Sequence, residues 1–185
     1  MQTITRKGNF DSGHRVMNEK FKCFNLHGHT YLYELTFNFN NMKNIGYAID
    51  FKEIKRVGVQ WIEDYLDHGM ILNPKDSVLI KTSLELESKM WIMTLNGTRY
   101  CNPTAENIAK EVFLAMQILF AGYPALTIWN IRLYETPNCF VDCTKDSISF
   151  SEESNFYKHN EQGISAYRVE KGILEYDDRK EVENV

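Results

Sequence analysis

The sequence predicts an α+β fold, an antiparallel sheet with two helices packed on one face. Three observations carry that reading. Apolar residues alternate with period two over 30–40 and again over 127–135, as in half-buried strands. Two stretches, 51–66 and 104–119, carry apolar residues at helical spacing instead. The order along the chain is strand, strand, strand, helix, a segment without clear period, helix, strand, strand. That order lacks the regular βαβ alternation of a parallel sheet.

Each element follows from local chemistry. "TITRKGNFDSGH" reads as a strand closing on a turn-like Asp11-Ser12-Gly13. In "TYLYELTFNFN", Tyr31, Tyr33, Leu35, Phe37 and Phe39 share one face, and Thr30, Leu32, Glu34, Thr36 and Asn38 the other. A loop then runs from Asn40 to Gly46, and "GYAID" is expected to return as a partner strand. Asp50 is placed to cap a helix, with Glu53 three residues on as in a capping box. Phe51, Ile54, Val57, Trp61, Ile62, Tyr65 and Leu66 supply its apolar stripe, and it should end near "YLDHG". Thr104 caps the second helix, Glu106 suits its positive first turn, and Ile108, Val112, Ala115, Met116 and Leu119 face the core. Gly122-Tyr123-Pro124 stops it. "TIWNIRLYE" is a strand with Thr127, Trp129, Ile131, Leu133 and Glu135 on one side, and "CFVDCT" returns after Thr136-Pro137-Asn138. Residues 74–101 show no dominant period, although "KMWIMTLNGTRYC" fits a hairpin around Asn96-Gly97.

Composition narrows the function classes. With 185 residues, 43% hydrophobic and 25% charged, the chain can bury one substantial core. No apolar run approaches the length of a membrane span, and the N-terminus lacks the apolar stretch of a signal peptide. The expectation is a cytoplasmic protein with reduced thiols, and Cys23, Cys101, Cys139 and Cys143 form no Cys-x-x-Cys pair. Net charge is −4, all of it in residues 151–185, which hold nine acidic and five basic side chains. Without a basic stripe, nucleic acid is not an expected partner. Residues 151–185 read as an acidic C-terminal extension, with Glu175 to Val185 a solvated tail.

The chemistry concentrates in "CFNLHGHTYLYELTF", Cys23 to Phe37. His27 and His29, two apart on a strand, place both imidazoles on one face, where they can share a metal ion. His14, at the end of the preceding strand, is the candidate third ligand, leaving a fourth position for water or substrate. Cys23, four residues before His27, is open to three readings: buried small hydrophobe, fourth ligand, or reactive thiolate. Asp67 can orient His68 and raise its basicity only if the chain has left the helix there, because sequence neighbours on a helix do not face each other. Glu135, at a strand end, suits a heterocycle presenting adjacent N–H donors if it lies in a pocket. Four of the five histidines fall in these clusters.

"FDSGHRV", "CFNLHGHTYLYEL", "GYAIDFKEIK", "YLDHGMILN", "NPTAENIAKEVF" and "IRLYETPNCFV" together resemble the 6-pyruvoyl-tetrahydropterin synthase family, in the family's order and over residues 10–141. The spacing at Cys23 to His29 is most similar to the bacterial 6-carboxy-tetrahydropterin synthases of queuosine biosynthesis. The resemblance implies the tunnelling fold, in which the sheets of a trimer close a barrel and two trimers stack as a hexamer with sites between subunits. It implies zinc held by His14, His27 and His29, with Cys23 as general base and Asp67 and His68 as the proton-transfer dyad. Glu135 would anchor the pterin ring, with Thr104 and Glu106 lining the pocket. The implied reaction converts 7,8-dihydroneopterin triphosphate to 6-carboxy-tetrahydropterin, acetaldehyde and triphosphate.

The chain departs from the family pattern in carrying Ser12-Gly13 where small apolar residues usually precede the first His. Segment 74–101 is longer than in compact bacterial members, so the expected layout is a catalytic domain over 1–150 with that insertion, followed by the extension. The rivals are the pyruvoyl-forming synthase, a non-catalytic zinc or pterin-binding module, and a cupin-like oxygenase. The last is disfavoured because Glu34 has the wrong parity for the His face and the flanking glycines are missing.

Overall fold

A computed structural model describes residues 2–18, 20, 22–40, 42, 46–96, 101–123 and 125–173. Its centre is a pair of 13-residue strands, β1 (Gln2–His14) and β2 (His27–Phe39), antiparallel over their whole length from Gln2 opposite Phe39 to His14 opposite His27. The expected turn at Asp11-Ser12-Gly13 is instead continuous strand. Pairing with Thr30, His29 and Gly28 overrides the local turn preference of those residues. On β2, Tyr31, Tyr33, Leu35 and Phe37 are buried and Thr30 and Leu32 exposed, as the alternation requires.

The expected strand at 46–50 does not form, and those residues lead as loop into the first helix. Asp50 caps it as expected, its carboxylate accepting from the Lys52 amide at 2.8 Å. Glu53 accepts from Arg56 and from the Tyr123 hydroxyl. The helix runs as α1 (Phe51–Ile54), a π-helical turn (Lys55–Val59) and α2 (Gln60–Tyr65). Ile54, Val57, Trp61, Ile62 and Leu66 are buried, whereas Phe51 is exposed. Gly58 sits in the wide turn, where a Cβ would meet Met116 Sδ at 3.0 Å and Leu35 Cδ1 at 3.2 Å, so glycine permits the close approach.

Residues 69–92 form a strand, helix and strand: β3 (Gly69–Leu72), α3 (Ser77–Glu85) and β4 (Met90–Ile92). Both strands add in parallel, β3 on β1 and β4 on β3, so the sheet is mixed, in the order β4-β3-β1-β2-β5-β6. Met90 to Ile92 therefore pair with β3, while residues 97–100 of the expected hairpin lie outside the described residues.

Helix α4 (Ala105–Leu119) packs centrally, with Ile108, Val112, Ala115, Met116 and Leu119 all buried. Strand β5 (Leu126–Thr136) pairs with β2, and β6 (Cys139–Cys143) with β5, both antiparallel as expected. A register shift between Thr36 and Phe37 marks a bulge at Trp129. Trp129 is 45% exposed while Ile131 and Leu133 are buried, which corrects the expected common face.

The acidic extension is helical over α5 (Phe150–Glu170), opened by a capping box between Ser149 and Glu152. Its Phe156, Ile164 and Tyr167, with Ile173, join the same hydrophobic core as the sheet and α4. Asn155 and Asn160 donate to the Leu95 carbonyl and the Thr94 hydroxyl. The expected tail from Glu175 onward lies outside the described residues.

Buried Glu111 on α4 ties down the same segment, accepting from Trp91 Nε1 at 2.5 Å and from the Thr94 and Leu95 amides at 2.5 and 3.1 Å. Burial pushes its pKa up from 4.5 to about 7 against those donors. Between these values the folded chain keeps a proton that the unfolded chain has lost, so stability falls as pH rises through the window. The contribution is on the order of 3 kcal/mol at one pKa unit per ~1.4 kcal/mol. Chemical denaturation at pH 4.5 and pH 7 should therefore show a smaller loss of stability in Glu111→Gln than in the wild type. Equal losses would contradict the assignment.

Candidate functional site

The β1–β2 register builds the site. His14 stands directly opposite His27, and Ser12 opposite His29. Because side chains alternate, His14, His27 and His29 fall on the helix-covered face together with Tyr31. Their ring centroids lie 4.6, 4.9 and 5.2 Å apart, and their ligand nitrogens all fall within 4.8 Å of one another. The three imidazoles that sequence spacing grouped are thus brought together.

Hydrogen bonding orients two of them. His14 Nδ1 lies 2.7 Å from the Pro103 carbonyl, and His27 Nδ1 2.7 Å from the Asn25 carbonyl. A carbonyl only accepts, so each Nδ1 carries the hydrogen and each Nε2 presents a lone pair; the tautomers follow from the partners. The two Nε2 atoms face each other at 3.2 Å. Two lone pairs at that separation repel unless a proton or a metal ion lies between them. Burial lowers the pKa of His14, with the Pro103 carbonyl opposing and His27 adding to the fall, so the charged form of His14 itself is disfavoured. The spacing also suits a shared metal ion, since nitrogens about 2.0–2.1 Å from a tetrahedral zinc stand roughly 3.3 Å apart.

Glu135, at the end of β5, brings Oε1 to 3.8 Å from His14 Nε2 and 3.9 Å from His29 Nε2. These distances exceed a hydrogen bond, and the carboxylate is partly exposed, so it borders the histidines while remaining open to a ligand. Tyr31 forms the floor, its ring 5.9 Å from His14 and 5.6 Å from His29. Burial raises its pKa, and Glu135 and Cys23 raise it further.

Cys23 is exposed on a short 3-10 turn, Lys22–Phe24. That turn is held to the end of β1 by the Val16 amide, which donates to the Cys23 carbonyl at 2.7 Å, and by Arg15 over the Phe24 ring. Of the three readings of this thiol, the buried hydrophobe is excluded by its exposure.

Asp67 and His68 meet because the chain has left the helix. His68 has φ 54°, and its Nδ1 lies 2.7 Å from Asp67 Oδ2. The other Asp67 oxygen accepts from the Asp11 amide at 2.8 Å, and the His68 amide donates to the Asp11 carbonyl at 2.7 Å. Partial burial works to raise the Asp67 pKa, but the Asp11 amide, His68 and Lys89 outweigh it and leave the carboxyl below its usual range. The exposed His68 opens on a groove of about 360 Å³ shared with Asp11, Gly13, Gly28 and Thr30, residues of the sheet's outer face; Ser12, His29 and Gly69 also border it.

Thr104 caps α4, accepting from the Asn107 amide at 3.5 Å, and Glu106 is exposed on its first turn. Thr104 follows directly on Pro103, the anchor of His14, and Glu106 stands two residues further on. Glu34 lies on the outer face in an ion pair with Lys7 at 2.6 Å, away from the histidines as its parity required.

Sequence reasoning missed the residues that support the site. Asn102 exchanges hydrogen bonds with the Met17 amide and carbonyl, both at 3.0 Å, and accepts from Asn73 at 2.7 Å. It fixes the Pro103 carbonyl against His14 across 89 residues of sequence, which no local pattern reveals. Tyr31 did carry a signal, since it continues the 27, 29 parity.

The family model described as 6-pyruvoyl tetrahydropterin synthase matches residues 3–146. A Rickettsia felis protein named 6-carboxy-5,6,7,8-tetrahydropterin synthase is 38% identical over 148 residues, covering 77% of this chain and 99% of the relative. A Haemophilus influenzae protein of the same name is 30% identical over 148 residues, covering 77% and 98%. Among solved structures, an uncharacterised Wolinella succinogenes protein superposes with TM-score 0.60 at 19% identity over 78% of this chain and 98% of that one. The Caenorhabditis elegans 6-pyruvoyl tetrahydropterin synthase gives 0.54 at 20% over 77% and 94%, so the likeness in both cases is one of fold. With the family match spanning most of the chain and close relatives covered almost end to end, the chain belongs to the 6-pyruvoyl tetrahydropterin synthase family.

Proposed function

We propose that this pterin synthase is a zinc-dependent carbon–carbon lyase that makes 6-carboxy-5,6,7,8-tetrahydropterin from 7,8-dihydroneopterin triphosphate, releasing acetaldehyde and triphosphate. The observation that carries the proposal is the convergence of three imidazole nitrogens, two with tautomers fixed to leave lone pairs facing each other. The choice of product rests on the carboxy-tetrahydropterin synthase names of the relatives.

In this reading His14, His27 and His29 hold zinc, which supplies a Lewis acid for the oxygens of the substrate side chain. Glu135 accepts from the N–H donors of the pterin ring, and Thr104 and Glu106 support the pocket from the start of α4. The Cys23 thiol, accessible on its turn, takes a proton from the side chain as general base. Asp67 fixes His68 with Nδ1 toward the carboxylate, leaving Nε2 to pass the proton on. The dyad, with His68 exposed on the groove, is proposed to serve a site completed by a second copy. The proposed assembly is a hexamer of two trimers, acting in the cytoplasm on the queuosine pathway. No helix among the described residues is long and apolar enough to cross a membrane. The insertion over 74–101 and the extension from 151 are proposed as additions to one catalytic domain. The second enzymatic reading, favoured by a Dictyostelium discoideum relative named 6-pyruvoyl tetrahydrobiopterin synthase at 28% identity, eliminates triphosphate without breaking the carbon–carbon bond.

Incubation of the zinc-loaded protein with 7,8-dihydroneopterin triphosphate and mass analysis should give the carboxy product and acetaldehyde. A pyruvoyl product would favour the second reading, and no turnover would favour a binding module. Cys23→Ala should keep its zinc and lose at least about 10²-fold in turnover, the usual scale for a proton-transfer group. A wild-type rate would remove Cys23 from the mechanism. His27→Ala should lose bound zinc by metal analysis after dialysis, and full occupancy would contradict the ligand assignment.

A further inference from the structure

Tyr31 is fully buried, yet its hydroxyl has no hydrogen-bond partner among the described residues. It is the one hydroxyl so placed among them. Buried hydroxyls in folded proteins almost always have a partner, and an orphan is a cost that phenylalanine would avoid. Packing does not require the oxygen: the ring stacks on Phe10 at 5.0 Å and meets the His14 and His29 rings edge-on, contacts that a phenyl group makes equally well. The position is not remote from chemistry, since Glu135 and Cys23 are the ionisable groups within its electrostatic reach.

We propose that the Tyr31 hydroxyl is a recognition group for the substrate side chain, donating a hydrogen bond to an oxygen of the ligand held at the three histidines. This inference rests on the pterin reading of the site. The phenol is a neutral donor, whereas the polar groups beside it, the Glu135 carboxylate and the imidazole lone pairs, accept. A hydroxylated side chain lying between the histidines and the floor would supply the missing acceptor, whereas a pterin ring without that chain would leave Tyr31 unpaired. Tyr31 thereby selects for the side chain and not for the ring, a division of labour with Glu135.

The test compares zinc-loaded wild type and Tyr31→Phe for binding of two fluorescent probes, neopterin, which carries a trihydroxypropyl chain, and unsubstituted pterin. Neopterin should bind the variant roughly tenfold more weakly, the scale of one neutral hydrogen bond, with pterin affinity unchanged. Zinc content should be equal in the two proteins and the melting temperature of the variant no lower. An unchanged ratio of neopterin to pterin affinity would overturn the proposal, and so would loss of zinc from the variant, which would make the hydroxyl a support of the metal site. Wild-type protein that binds neither probe would overturn the pterin reading and this inference with it.

Discussion

The pairing of β1 with β2 is the constraint on which the site depends. Only one register sets His14 against His27 and Ser12 against His29. Because side chains alternate with period two, a slip of β2 by one residue would send His27 and His29 to the face opposite His14. The slip is opposed along the entire length of the two strands. Tyr31, Tyr33, Leu35 and Phe37 of β2 would be driven out of the core together, and burying one such side chain is worth about 1.5–3 kcal/mol. The same hydrophobic alternation that forms the sheet therefore also aims the imidazoles.

Register alone does not orient a ring, and that task falls to carbonyls. Pro103 reaches His14 from the start of α4, and Asn25 reaches His27 from the loop before β2. Asn102 locks the first of these to the end of β1 and, through Asn73, to the end of β3. The β3-α3-β4 unit is thus tied to the histidines by an amide side chain as well as by the pairing of β3 with β1. The segment after β4 is held by Glu111, Asn155 and Asn160, so α5 and this unit brace each other. The Arg15–Asp76 ion pair, at 2.5 and 2.6 Å, joins the residue after His14 to the cap of α3.

What was legible in the sequence was what depends on period and local chemistry. The two-residue spacing of His27 and His29, the Asp50 and Thr104 caps and the buried stripe of α4 all express local rules, and the structure follows them. The Asp67–His68 contact was legible as a condition, that the helix end before it, and the left-handed His68 meets that condition. The misreadings arise where distant partners decide. Asp11-Ser12-Gly13 resembles a turn until thirteen residues of β2 lie beside it. The bulge at Trp129 reverses the parity of β5 halfway along and leaves no mark in the sequence. Helix α3 keeps Val78, Leu84 and most of its other side chains exposed, so no apolar stripe announces it. The α5 helix did have a signal in Ser149-x-x-Glu152, masked by the acidic composition of the C-terminal extension.

The central claim is that three imidazoles and no thiolate hold one zinc ion. Zinc-edge X-ray absorption of the metal-loaded protein tests it most directly. The account predicts a first shell of nitrogen and oxygen only, at about 2.0–2.1 Å, with the outer-shell scattering of three imidazole rings. A sulfur scatterer near ~2.3 Å would make Cys23 a ligand and contradict its role as a free base, and fewer than three imidazoles would contradict the site itself.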